Sequence, residues 1–196
     1  MKPELKFLRI AALLTIVFHL LGLFAALIWI RNGTATYPLD ERMAYVAIPW
    51  GGWKIGWTIW MFGAAAFVVF NAAVEKTWKL EGTLPRLAVT IGVVAACLDW
   101  VFDMLQIVVL PEFVTAGRGL NVFTALARFA SAGGIVVANG LYSISVGLLS
   151  IALRGRIPRV AYLFGLGTLV FGLIFSAGGF SSNPRLHEIL GAPTFV

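Results

Sequence analysis

Asp99, Asp103 and Gln106 stand four and three residues apart inside "LDWVFDMLQ", residues 98–106, a stretch that is otherwise apolar. On a helix this spacing puts all three on one face, with Gly92 and Ala96 continuing it in one direction. Such a face can accept a proton, hold a cation or orient a polar ligand. In a low-dielectric setting two carboxylates so close are not expected to be ionised together unless a cation or a protonated His19 compensates. An ionisable cluster inside a membrane marks a functional site by default. The opposing reading is a polar network that only holds helices together.

Depth along the other apolar runs indicates which groups could join this face, since a helix rises about 1.5 Å per residue. His19, Asp99 and Ser143 fall near the middle, Asp103, Asn139 and Trp60 about one turn outward, and Gln106 and Tyr142 near that outer layer. Thr15, His19 and Gly22 share one face, and Asn139, Tyr142 and Ser143 share another. The expected site has Asp99 as central proton or cation acceptor and Asp103 as its coupled partner. His19, Gln106 and Asn139 would orient the ligand, with Tyr142 and Ser143 beside them. Trp60 and Trp100 could supply aromatic walls, although Trp100 points about 100° away from Asp99, which favours packing or lipid contact for it.

The elements that must position these groups are membrane helices. The 196 residues are 60% hydrophobic and only 12% charged, with a mean hydropathy of +0.91, well outside the composition of soluble domains. About 20 apolar residues cross a bilayer, and five such runs occur, at about 10–30, 55–75, 87–110, 133–153 and 160–180. The expected fold is all-α, a single transmembrane domain built as a five-helix bundle. The first run follows Lys2, Lys6 and Arg9, but its apolar core is too long for a signal peptide, and it reads as a retained span. In the third run thirteen Leu, Ile, Val and Phe residues offset about 4–8 kcal/mol against about 5–7 for two Asp, so this span needs neighbours.

Nine Lys and Arg alternate onto one side of the spans and six onto the other, where the loops are longer. This asymmetry predicts a cytoplasmic N-terminus and an external C-terminus, and it explains the net charge of +6 without nucleic acid. In the first external loop, "TYPLDERMAYVAIPWGGW" predicts a folded cap or an interfacial segment. Trp50, Trp53 and Trp57 read as an aromatic belt at the outer interface, with Trp60 deeper. "LNVFTALARFA" predicts a short interfacial helix before span four, or an extension of that span. Gly133, Gly140 and Gly147 in span four, and Gly165, Gly172 and Gly179 in span five, recur every seven residues. The tight "RGRIPR" turn makes these spans antiparallel neighbours, so the glycines predict close backbone packing. A short helix is expected from Asn183 to about Leu190, with His187 and Glu188 at the membrane surface.

Several chemistries find no support. The lone Cys97 excludes disulfides and cysteine metal clusters. Haem between two histidines lacks a second intramembrane His, and a retinal Schiff base lacks a buried Lys. A metal held by His19, Asp99 and Asp103 would have three ligands on two helices without a recognisable ligand motif. No phosphate loop, nucleophile elbow or HExxH occurs. The cofactor is left unknown, and no pattern is specific enough to assign a family.

The leading expectation is a multi-pass protein of the cell membrane, most simply a bacterial inner membrane. Its buried acidic site would bind a small cationic or apolar ligand or relay protons, in transport or otherwise. Its partners would be the lipid bilayer, a small-molecule or lipid ligand, and a second copy or a membrane complex. One rival is a membrane-embedded enzyme acting on a lipid or isoprenoid, with an Asp as acid and His19 as base. Another is a structural or assembly subunit.

Overall fold

The protein is described by a computed structural model over residues 3–34, 37–117 and 119–180. The helix expected from Asn183, with His187 and Glu188, lies outside these residues. Among the described residues the regular elements are all helices. Five runs are long and apolar enough to cross a membrane: Pro3–Ile28, Gly52–Thr77, Thr83–Thr115, Leu120–Ala152 and Arg159–Gly178. The number and order agree with the hydropathy pattern. Each run begins before the apolar stretch it matches, and the second and third also end after it, because helical hydrogen bonding continues into flanking polar residues that hydropathy does not count.

In chain order the helices are α1 (Pro3–Ile28), α2 (Leu39–Ala47), α3 (Gly52–Thr77), α4 (Thr83–Met104), α5 (Leu110–Thr115), α6 (Leu120–Ser131), α7 (Asn139–Ala152) and α8 (Arg159–Phe180). A π-helical segment, Leu105–Val109, joins α4 to α5, and another, Ala132–Ala138, joins α6 to α7. The helix expected before span four is α6, and it runs through its π segment into α7, lengthening that span. Each span packs chiefly against the next: α1 on α3, α3 on α4, α4 on α7 and α7 on α8. The spans thus form a row with α4 in the middle and α1 and α8 at its edges. At the turn into α4, Gly82 takes φ of +103°, a conformation that a side chain would oppose.

Two hydrophobic clusters close the ends of the row. At one end α2, α5 and α6 fold over the helices, and Ile30, Val46, Trp53, Trp57, Leu110 and Phe123 form a buried core. This is the cap that the loop composition predicted. Arg42 of α2 donates from Nε to the Gly33 carbonyl at 3.1 Å, and its guanidinium stands 5.6 Å from the centre of the Phe123 ring. Burial, and then the charge of Arg128, lower its pKa from the ordinary guanidinium value. At the other end Val74, Leu80, Ala88, Leu149 and Leu153 cluster together.

The cap corrects the reading of the tryptophans. Trp53 and Trp57 are buried in this core and form no belt, because α2 and α6 lie over them. Trp50 precedes the start of α3 and is 83% exposed.

The glycine seam between α7 and α8 is filled largely by serines. A Cβ at Gly140 would lie 2.8 Å from Ser176 Oγ, and one at Gly147 would lie 2.7 Å from Leu169. Gly172 admits Ser143 and Gly165 admits Ser150 even more closely. Gly133 departs from the stripe and receives the Phe102 ring of α4.

Candidate functional site

The polar face of α4 turns into the protein. Asp103 is 1% exposed and Gln106 2%, while Asp99 is half-buried. Tyr142 of α7 donates its hydroxyl to Asp99 Oδ2 at 3.2 Å. On the other side of Asp99 the chain is bare at Gly134, where a Cβ would stand 3.5 Å from Oδ1. The glycine pair in the second π segment therefore lets α4 bring both Phe102 and Asp99 close to the opposing backbone.

Pro111 shapes the end of this face. In the π segment the Leu110 amide donates to the Leu105 carbonyl five residues back, so the next carbonyl, that of Gln106, would require a hydrogen from the nitrogen of Pro111. Proline has none. The Gln106 carbonyl instead accepts from Trp53 Nε1 at 2.8 Å, which ties α3 to the site and makes Trp53 part of its frame.

Of the four buried polar side-chain atoms that have no hydrogen-bond partner among the described residues, three lie around this face: Asp103 Oδ2, Gln106 Oε1 and Trp57 Nε1. Their depths are close. Trp53 meets Gln106, and Trp100 donates to the Met61 carbonyl at 2.9 Å, so the antiparallel register of α3 and α4 sets Trp57 level with Asp103. Gln106, level with Trp53, stands about one turn nearer the cap, so two acceptors and one donor lie within about one helical turn of one another along the bundle. Burying such groups unpaired costs about 1–3 kcal/mol each.

The other expected members of the site lie elsewhere. His19 is on α1, whose packing partner is α3, and no hydrogen bond or ion pair links it to either Asp among the described residues. Its Nδ1 lies 2.7 Å from the Thr15 carbonyl, and its ring meets Trp60 edge-on at 6.0 Å. Trp60 faces α1 as well, with its ring over Gly22. Ser143 points into the α7–α8 seam against Gly172 and donates to the Asn139 carbonyl at 2.8 Å, while Asn139 is exposed. Tyr142 and Ser143 thus turn to two neighbouring helices, Tyr142 to the carboxylates and Ser143 to α8. The set weighed as metal ligands, His19, Asp99 and Asp103, does not come together. Among the described residues no three His, Cys, Asp or Glu side chains are grouped for a metal ion.

A second interior polar group was not anticipated. Asn71 of α3 is 1% exposed and donates from Nδ2 to Ser145 Oγ at 3.0 Å. Ser145 in turn donates to the Ala88 carbonyl at 2.7 Å. The signal was present, since Asn71 interrupts an apolar run and Ser145 stands three residues from Tyr142.

No protein-family model, no curated protein and no solved structure matches the chain. The chemistry of the site is accordingly read from its geometry.

Proposed function

We propose that this multi-pass membrane protein exchanges protons at an interior site formed by Asp99 and Asp103. The carrying observation is that Asp103 Oδ2, Gln106 Oε1 and Trp57 Nε1, within about one helical turn of one another along the bundle, are buried and without hydrogen-bond partners among the described residues. A buried water typically makes about three hydrogen bonds to groups otherwise unsatisfied. Water held among these groups would accept from the indole and donate to the oxygens, placing a proton carrier against Asp103. A bare negative charge here would lack compensation among the described residues, so the site is completed by a proton or by a small cation in its place. Asp99, held by Tyr142, is the second acceptor. All three unpartnered atoms are polar, which favours this reading over an apolar ligand. The nine basic residues set the end of the row opposite the cap in the cytoplasm, and the membrane proposed is a bacterial inner membrane.

Infrared difference spectra of the full chain in lipid nanodiscs, recorded across a pH step, test the reading. A carboxyl band that responds to the step should disappear in Asp103→Asn while the helical content stays unchanged. If Asp103→Asn folds and the band and its response persist, the proposal fails. Adding sodium or potassium chloride at fixed pH distinguishes the occupants, because a cation that shares the site displaces the band.

A further inference from the structure

The Asn71 group lies in line with the carboxylates. Phe67, one turn before Asn71 on α3, packs edge-on against Tyr142 with ring centres 5.0 Å apart. A Cβ placed at Gly92 of α4 would meet Ser145 Oγ at 3.0 Å, Asn71 Nδ2 at 3.2 Å and Phe67 Cε1 at 3.6 Å. Asp103, Asp99, Tyr142, Phe67, Asn71 and Ser145 therefore succeed one another along the inner face of α4. A single aromatic ring is the apolar interruption in that line. Beyond Ser145 come Ala88 and the far hydrophobic cluster, just as the cap cluster lies beyond Gln106.

Asn71 carries its own sign of a ligand. Its Nδ2 is used by Ser145, but Oδ1 is buried and has no hydrogen-bond partner among the described residues. Buried amide oxygens are seldom left unpaired, and at this position a donor small enough to enter the helix interface is water. The absence of a side chain at Gly92 is what lets the backbone of α4 come close to both Asn71 and Ser145.

We propose that Asn71 and Ser145 form a second, water-binding station on a proton path through the bundle, with Phe67 as the gate between it and the carboxylates. The inference rests on the proton-exchange reading of Asp99 and Asp103 and extends it from uptake to conduction. A proton taken up by the carboxylates from the capped end passes Phe67 when the ring swings aside. Water held by Asn71 Oδ1 accepts it, and it leaves at the opposite end. Nothing is oxidised or reduced, and each proton that enters is matched by one that leaves.

Proteoliposomes containing the full chain, a pH-sensitive dye inside and a potassium diffusion potential set by valinomycin provide the test. Wild-type vesicles should acidify or alkalinise faster than empty ones, according to the sign of the potential. Asn71→Leu should lose this flux while keeping the pH-responsive carboxyl band, and Phe67→Ala should increase it. Wild-type flux in folded Asn71→Leu vesicles, in a preparation where Asp103→Asn has lost flux, would overturn the second station and leave the exchange site standing. Wild-type vesicles no faster than empty ones would also overturn conduction, with the infrared band still deciding uptake. Should Asn71→Leu not fold, Phe67→Ala decides: a flux no greater than wild type refutes the gate and the path through it.

Discussion

At the capped end the core consists of Ile30, Val46, Trp53, Trp57, Leu110 and Phe123, contributed by five elements of the chain. At the far end it consists of Val74, Leu80, Ala88, Leu149 and Leu153, on regular helices and their adjoining turns. Among the described residues, the capped half also holds both π segments and three of the four buried polar side-chain atoms without a hydrogen-bond partner. The far half joins its helices by small residues whose hydroxyls are bonded, as Ser150 is to the Val146 carbonyl and Ser145 to that of Ala88. Irregular backbone and unmatched polarity thus coincide with the carboxylates. The regular half acts as scaffold, with Asn71 Oδ1 as its exception. Single π turns within α-helices are often found at functional sites, and here one is followed by Pro111 and the other contains the Gly133–Gly134 pair.

The largest effect should come from overfilling the scaffold seam. Gly172→Leu drives a side chain into Ser143 and should destabilise by more than the ~1–3 kcal/mol usual for overpacking. Gly167→Leu, with nothing within 4 Å, should melt close to wild type. Equal melting temperatures for the two variants in detergent would show that the scaffold seam is not tightly packed.

Next comes Trp53→Phe, which leaves the Gln106 carbonyl without its donor at a cost of about 1–3 kcal/mol. Hydrogen exchange should rise in peptides covering 105–109 and remain unchanged in those covering 143–152. Faster exchange in both would show that the halves unfold as one unit.

Tyr142→Phe removes the hydrogen bond to Asp99 and should cost about 1 kcal/mol. In the infrared it should move the Asp99 carboxyl band and leave that of Asp103 in place. The smallest effect is expected for Gly134→Ala, because its added methyl would meet Asp99 Oδ1 at an ordinary 3.5 Å. A change within about 0.5 kcal/mol is expected, measured by thermal unfolding, and a larger loss would mean that the second π segment is as tightly specified as the seam.

Much of the site's first layer was legible in the sequence. The spacing of Asp99, Asp103 and Gln106 defined an inward face, and the glycine heptads identified the α7–α8 seam. Tyr142 was included among the candidates, although nearer Gln106 than Asp99. His19 and Asn139 were chosen by depth alone, and depth does not say which way a helix is turned or which helix stands beside it. Trp53 and Trp57 were read as interfacial because nothing local reveals that α2 and α6 fold over them. Asn71 was visible as a polar residue in an apolar run but lay outside the depth layers built around Asp99.

The sequence by itself determined the five spans, the inward polar face of α4 and the contact between the last two helices. Hydropathy, helical periodicity and a tight turn are properties of neighbouring residues and need no knowledge of the rest of the chain. Only the tertiary structure decided that α1 stands at the edge of a row, out of reach of the carboxylates. It also showed that Trp53 completes the carbonyl left open by Pro111, and that Phe67 lies between two polar groups. Those outcomes depend on the order and rotation of helices distant in sequence, and a shift of one residue turns a helical side chain by about 100°.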